Sequence, residues 1–535
     1  MEILILTLKF NNLLTTMRVK NFFFSVGLVF VTGCMGFQLS AQTKMPPGWQ
    51  SSYVKITPEG ELNYIPDAEG NIIPDFSRVG YHHGDKGLPH FTASVYVTPV
   101  DGDNWANIQA AIDKVAALPL DSEGHRGVVR LARGVYPLSK TIVINTDGVV
   151  LQGEGSNVDE TRLVAITRER YPLIRIAGQG NREEIPGTRV HLTDAFVPVG
   201  VHSFHVSDAS GFKPGDRVIL YRPGTQEWIH DIKMDQIVER QGTRQWTARE
   251  YNLAFEREVT AVDGDCVYID NPVVMQMSDK YGGGELYKYT FDGRISEVGV
   301  RDLCLDSEFD DYEDTKHGWI GVQLDKAENC WVDNVTGFHL GYACVSCERN
   351  AKNITVRNCR CLSPKSVITG GLRYAFNNIG QQNLFINCQS REGRHDYVTG
   401  SQVCGPNVFH NCTATQSYAD IGPHHRWAVG TLYDNIVTDG EINVQDRGKM
   451  GSGHGWAGVT QVLWNCHAGR VAVQSPWASG KNYSIGTKGK RYAGVFTDRP
   501  DGEWEGENET NVFPRSLYLA QLMARKKADL KHFIK

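Results

Sequence analysis

Val332-Asp333-Asn334-Val335, Val356-Arg357-Asn358-Cys359, Phe385-Ile386-Asn387-Cys388, Phe409-His410-Asn411-Cys412, Tyr433-Asp434-Asn435-Ile436 and Leu463-Trp464-Asn465-Cys466 are six versions of one phrase. It reads apolar, any residue, Asn, then small or apolar. The asparagines recur at nearly constant spacing from Asn334 to Asn465, with two longer steps, before Asn387 and before Asn465. Self-similarity at a period of roughly 20–50 residues marks solenoids, propellers or arrays.

The columns choose among these. Val, Val, Phe, Phe, Tyr and Leu precede the asparagines by two places, and Val, Cys, Cys, Cys, Ile and Cys follow them by one. Both columns are apolar, as inward positions should be. The place between varies freely among Asp, Arg, Ile, His, Asp and Trp, as an outward position should. Alternation of period two means short strands and no long helix. Stacked units would bring each Asn over the next, so that side-chain amides bond along the stack as in other Asn ladders. The fold predicted is all-β, a parallel β-helix with one turn about 4.8 Å above the last. Propeller blades run to roughly 40 residues or more and carry another signature.

Working outward, the 535-residue chain has ample material for a core, but in a solenoid length counts domains poorly. A formal net charge of −6 gives no basic surface for nucleic acid. Arg18 and Lys20 precede the apolar run 22–31, and Leu39-Ser40-Ala41 ends in a small residue, so residues 1–41 read as a signal peptide. The protein is expected to be secreted or periplasmic. Val31-Thr32-Gly33-Cys34 also resembles a lipobox, and the alternative is an outer-surface lipoprotein anchored at Cys34. No later run approaches the roughly 20 apolar residues of a membrane span. Residues 42–92, rich in Pro, Gly and aromatics, read as an extended arm. Residues 93–195 hold a helix after Asp103 or Asn104 and the first rungs, 196–290 an inserted β subdomain, 291–490 the main rungs, and 491–535 a tail. Four of the twelve cysteines, Cys359, Cys388, Cys412 and Cys466, fall in the inward column as small hydrophobes, although residues one rung apart have the spacing for one or two disulfides.

Asn107-Ile108-Gln109-Ala110-Ala111-Ile112-Asp113, Gly134-Val135-Tyr136-Pro137-Leu138 with Thr141-Ile142, and Val149-Val150-Leu151-Gln152-Gly153-Glu154-Gly155 resemble the opening of the pectate-lyase superfamily. That resemblance implies a right-handed parallel β-helix whose open end is capped by a short amphipathic helix. Gly422-Pro423-His424-His425-Arg426-Trp427 and Gly451-Ser452-Gly453-His454-Gly455-Trp456 look like an uncharacterised bacterial branch of these β-helix proteins. The superfamily includes lyases, hydrolases, epimerases and phage adhesins, so the resemblance implies a fold more than a substrate. Gly453-His454-Gly455 is also similar to a polygalacturonase motif, but the Asn-Thr-Asp and Asp-Asp rungs that accompany it there are missing here.

Sites on a β-helix are grooves made by outward side chains and by loops that break the spacing. The long loops of 391–456 hold His395, Asp396, Asp420, His424, His425, Arg426 and His454 as candidate catalytic residues. Lys365, Arg373, Arg394, Tyr397, Trp427, Arg447 and Trp456 are candidates for substrate contact. Asp396 stands as far before Asn411 as Asp420 does before Asn435, and His424 as far before Asn435 as His454 does before Asn465. Each pair is therefore expected to share a column. β-Elimination on a uronic acid needs a cation on the carboxylate, either an Arg or Ca²⁺, and a base such as His. Hydrolysis by Asp396 and Asp420 is the alternative, and two stacked carboxylates could instead hold a cation. The reading is a monomeric polysaccharide lyase acting on a uronate glycan. A glycoside hydrolase comes second and a non-catalytic carbohydrate-binding protein third.

Overall fold

The apolar columns form the spine. In the computed structural model, which describes residues 48–533 apart from 58–60 and 93, strands stack in one continuous network of 28. Val332 pairs in parallel with Val356, Val356 with Phe385, Phe385 with Phe409, Phe409 with Tyr433, and Tyr433 with Leu463. All six are fully buried, and so are Val335, Cys359, Cys388, Cys412, Ile436 and Cys466. Full burial of one such side chain contributes roughly 1.5–3 kcal/mol. The chain is an all-β parallel β-helix. The eleven cysteines among the described residues are free. The expected signal peptide and Cys34 lie outside the described residues.

The backbone explains the asparagines. Each of the six has φ between 50° and 57°, the left-handed region. Most residues lose roughly 1–2 kcal/mol there, whereas Asn tolerates it. Amides then link rungs: Asn387 Nδ2 donates to Asn358 Oδ1 at 3.4 Å, Asn411 to Asn387 at 2.8 Å, and Asn465 to Asn435 at 2.8 Å. Between Asn411 and Asn435 the ladder breaks, because the Asn435 amide donates to Asp434 and to the Arg515 carbonyl. Asp302, at φ 57°, holds the corner one rung earlier and accepts from Asn334 at 2.8 Å.

The intervening positions point away from the core, yet Asp434 and Trp464 are fully buried. The arm and the tail cover them. Val54, Ile73, Phe76 and Val79 of the arm, with Leu517 and Tyr518 of the C-terminal helix Leu517–Phe533, pack on Leu384, Val408, Leu432, Val462 and Trp464. Trp464 donates to the Pro514 carbonyl at 2.9 Å, and Asp434 accepts from Ser516 and from the Tyr518 amide.

At the other end the helix Trp105–Ala116 buries Ile108, Ala111, Ile112 and Val115 over the first strands, closing an otherwise exposed apolar cross-section. Between rungs, seven antiparallel strands from Glu183 to Thr290 form a separate sheet. Its core takes in Trp228 and Trp246 and includes Trp427 and Trp456 from the β-helix, so the two parts share one apolar seam.

Candidate functional site

Four consecutive rungs position the site. Strand Phe376–Asn378 pairs with Tyr397–Thr399, which pairs with Asp420–Pro423, which pairs with Glu441–Val444. Tyr374, Arg394, His395, Asp420, His424, His425, Arg447 and His454 lie at the ends of these strands or in the turns beyond them. They line one cavity of ≈ 540 Å³.

The turn carrying His454 is glycine-rich for a steric reason. Gly451 and Gly453 have φ of 56° and 87°, and a Cβ on Gly451 would come within 2.1 Å of the His454 ring. The inserted subdomain pins this turn from outside. Arg240 donates to the Gly451 carbonyl at 2.7 Å, the Arg244 amide to Ser452 at 3.1 Å, and the Trp246 indole to Gly453 at 3.3 Å.

Four imidazoles meet here. Ring centres lie 4.3 Å apart for His395 and His424, 5.0 Å for His424 and His425, 5.1 Å for His424 and His454, and 4.8 Å for His425 and His454. Tyr374 packs edge-on against His395 and His424. His395 Nδ1 lies 3.2 Å from the Asp420 carbonyl and 3.3 Å from Asp420 Oδ1, so this nitrogen carries the proton. Arg447 donates to Asp420 Oδ2 and to Asn443. His395 Nε2, Nδ1 of His424, His425 and His454, and Arg394 Nη1 are all buried without a hydrogen-bond partner.

The electrostatics follow. Burial alone would raise the Asp420 carboxyl, but Arg447 and then His395 outweigh it and hold it far below the ordinary range. Burial, with His395 and Arg447 adding, pushes the His424 imidazole far down. His425 is pushed down to about 4, chiefly by burial with Arg426 and Arg447 adding. His454 is pushed to about 3 by burial, then by His425 and the arginines. These three rings are uncharged at neutral pH, and each keeps a lone pair free.

Some of the expected residues meet in the cavity and others lie elsewhere. His424 and His454 share the cavity. Asp396 and Asp420 follow the strand offset, but Asp396 is fully buried, accepting from Ser390 at 2.5 Å and Ser417 at 2.7 Å, and does not line the cavity. Burial raises its carboxyl. Tyr397 is a buried interior residue whose hydroxyl bonds the Cys388 and Thr413 carbonyls, and it does not line the cavity. Trp427 and Trp456 are fully buried in the seam with the subdomain and offer no stacking face to a sugar. The left-handed pair Arg426 and Trp427, φ 57° and 66°, turns the chain there. Arg426 faces a second, smaller cavity of ≈ 270 Å³ with Arg244 and Glu250, and donates to Ser452. Arg373 is buried and donates to Tyr312 and Ser366, holding the wall, while Lys365 lies over the Phe309 and Tyr312 rings.

Tyr374 is the cavity residue the sequence did not reveal. It lies in the longer rung between Asn358 and Asn387, where Phe376 pairs with Tyr397 at an offset that no asparagine spacing announces. An aromatic beside Arg373 was the only signal.

No family model and no curated protein sequence matches the chain. Solved structures do match at low similarity. The tailspike protein gp49 from Pseudomonas phage LKA1 is 15% identical over 72% of this chain and 63% of that one, with a TM-score of 0.40. The alginate lyase from Paenibacillus sp. str. FPU-7 is 9% identical over 78% of this chain and 99% of that one, at 0.35. The catalytic domain of a GH87 alpha-1,3-glucanase solved with nigerose is 10% identical over 79% and 67%, at 0.37. At these values the likeness carries nothing about the reaction, which rests on the site itself. Among the described residues no helix is long and apolar enough to cross a membrane.

Proposed function

We propose that the cavity cleaves a uronate-containing polysaccharide by β-elimination. The observation that supports this is a guanidinium nitrogen beside imidazole nitrogens, each without a partner: Arg394 Nη1 with Nδ1 of His425 and His454 in one open cavity. The proton beside a uronate carboxylate is weakly acidic, and a cation on the carboxylate stabilises the charge that develops as it leaves. Arg394 takes that role, because Arg447 is already engaged by Asp420.

The base must reach the sugar. His395 is 1% exposed, whereas His454 and His425 are half-buried at the cavity wall, so His454 is assigned as base. It takes the C5 proton. The C5–H electron pair forms the C4–C5 double bond, the C4–O bond breaks, and the imidazolium returns its proton to the leaving oxygen. An imidazole with lowered proton affinity is a weak base in the free protein. A bound carboxylate raises that affinity by Coulomb attraction.

The buried position of Asp396 speaks against hydrolysis by an Asp396–Asp420 pair. The test is a panel of uronate and neutral glycans read for the unsaturated chromophore and for reducing ends. Chromophore from a uronate glycan is expected, and His454→Ala should lower the rate by about 10²–10⁴-fold while the fold is retained. Reducing ends without chromophore would replace this reading with hydrolysis. Binding without turnover would make the protein a carbohydrate-binding solenoid.

A further inference from the structure

We infer that His395, Asp420 and His424 form a binding site for one divalent transition-metal ion of the zinc class. The inference concerns binding and stands apart from the reaction proposed above. One donor atom of each residue lies within 4.8 Å of the other two, and all three side chains are buried. Two His and one carboxylate form a donor set that zinc and its neighbours accept, with further positions left to solvent or ligand.

Three observations converge. First, the rings are spaced as co-ligands: two imidazoles on one tetrahedral zinc place their centres roughly 5 Å apart at ordinary Zn–N lengths. His395 and His424 are at 4.3 Å. Second, a ring nitrogen that would ligate is an orphan. His424 Nδ1 is buried without a partner, and a buried polar atom left so costs roughly 1–3 kcal/mol. A metal–nitrogen bond removes that cost. Third, the surroundings orient the donors as metal sites do. His395 Nδ1 and Asp420 Oδ1 face each other at 3.3 Å, as two donors to one ion do, while Arg447, itself bonded to Asn443, secures Oδ2 on the far side of the carboxylate.

The choice of metal follows from the donors. Calcium seeks six to eight oxygens, roughly, and one carboxylate among imidazoles does not supply them. Arg447 offsets part of the Asp420 charge, which favours a site of moderate rather than extreme affinity.

The test uses the full chain, stripped with a chelator and titrated with Zn²⁺ in the absence of any glycan. Calorimetry should show one Zn²⁺ per chain and much weaker uptake of Ca²⁺. Co²⁺ loading should give visible d–d absorption of a nitrogen–oxygen site. His424→Gln, and separately His395→Gln, should weaken Zn²⁺ binding by at least about 10–100-fold. If His395→Gln fails to fold, the Co²⁺ spectrum of the unaltered chain and His424→Gln carry the test. Absence of stoichiometric Zn²⁺ uptake by the unaltered chain would overturn the inference. So would Ca²⁺ bound as tightly as Zn²⁺, or unchanged Zn²⁺ affinity in His424→Gln. Because no glycan is present, failure of the lyase assay leaves this outcome untouched.

Discussion

At the asparagine corner three of the five steps are bridged amide to amide, and Asn411 donates to Asn387 at the same 2.8 Å at which Asn465 donates to Asn435. On the cavity side of the same rungs the loops differ in length and content, and the imidazoles of His395, His424, His425 and His454 each keep a nitrogen with no partner. Where the sequence repeats, the corner amides find protein partners, the next amide or a neighbouring oxygen. Where it does not, polar groups are held by packing alone and stay free for something that is not protein. The contrast separates what holds the solenoid together from what the solenoid holds.

That contrast can be broken most forcefully at Arg447. Arg447→Met leaves the buried Asp420 carboxylate without its counter-charge, and breaking such a pair costs roughly 3–5 kcal/mol. Urea or guanidinium unfolding should show that loss. A change below about 1 kcal/mol would mean that Asp420 is solvated and the cavity floor is looser than described.

Acid sharpens the contrast next. An unfolded imidazole titrates near ~6.5. His425 and His454, pushed down to about 4 and about 3, stay neutral in the folded chain below that value. The unfolded state therefore binds more protons in this window. Stability should be full above ~6.5 and fall as the pH drops from there toward 4. His425→Gln should remove up to about 1.4 kcal/mol per pH unit from that slope. An unaltered slope would show that His425 is not the group responsible.

The smallest effect belongs to the corner. Asn411 has φ 51° and one ladder bond, so Asn411→Ala should cost about 1–2 kcal/mol for the left-handed backbone, with the lost amide bond adding to it. Asn411→Gly should cost clearly less, since glycine enters that region freely. Equal losses for Ala and Gly would show that the amide, not the backbone, is what the corner selects.

The inward spine was legible because Val332, Val356, Phe385, Phe409, Tyr433 and Leu463 recur beside a marker residue, and parallel pairing preserves that order. The outward column was legible only in direction. That Asp434 and Trp464 are buried follows from the arm and the C-terminal helix lying over them, partners distant in the chain with no repeat of their own. The site was legible as a set of residues in three neighbouring rungs and no further. Tyr397 and Asp396 follow His395 directly and share its register, yet both are interior. Trp427 and Trp456 looked like sugar platforms and instead close the seam with the inserted sheet.

By itself the sequence determined the rung, its left-handed corner and the residues stacked on each side of it, because those depend on neighbours at a fixed offset in the chain. Which side chains face the cavity, which imidazoles meet, and what lies over the outer face were decided only in three dimensions. Loop lengths that differ from rung to rung erase the offset, and burial from distant segments sets the direction and the charge of each group.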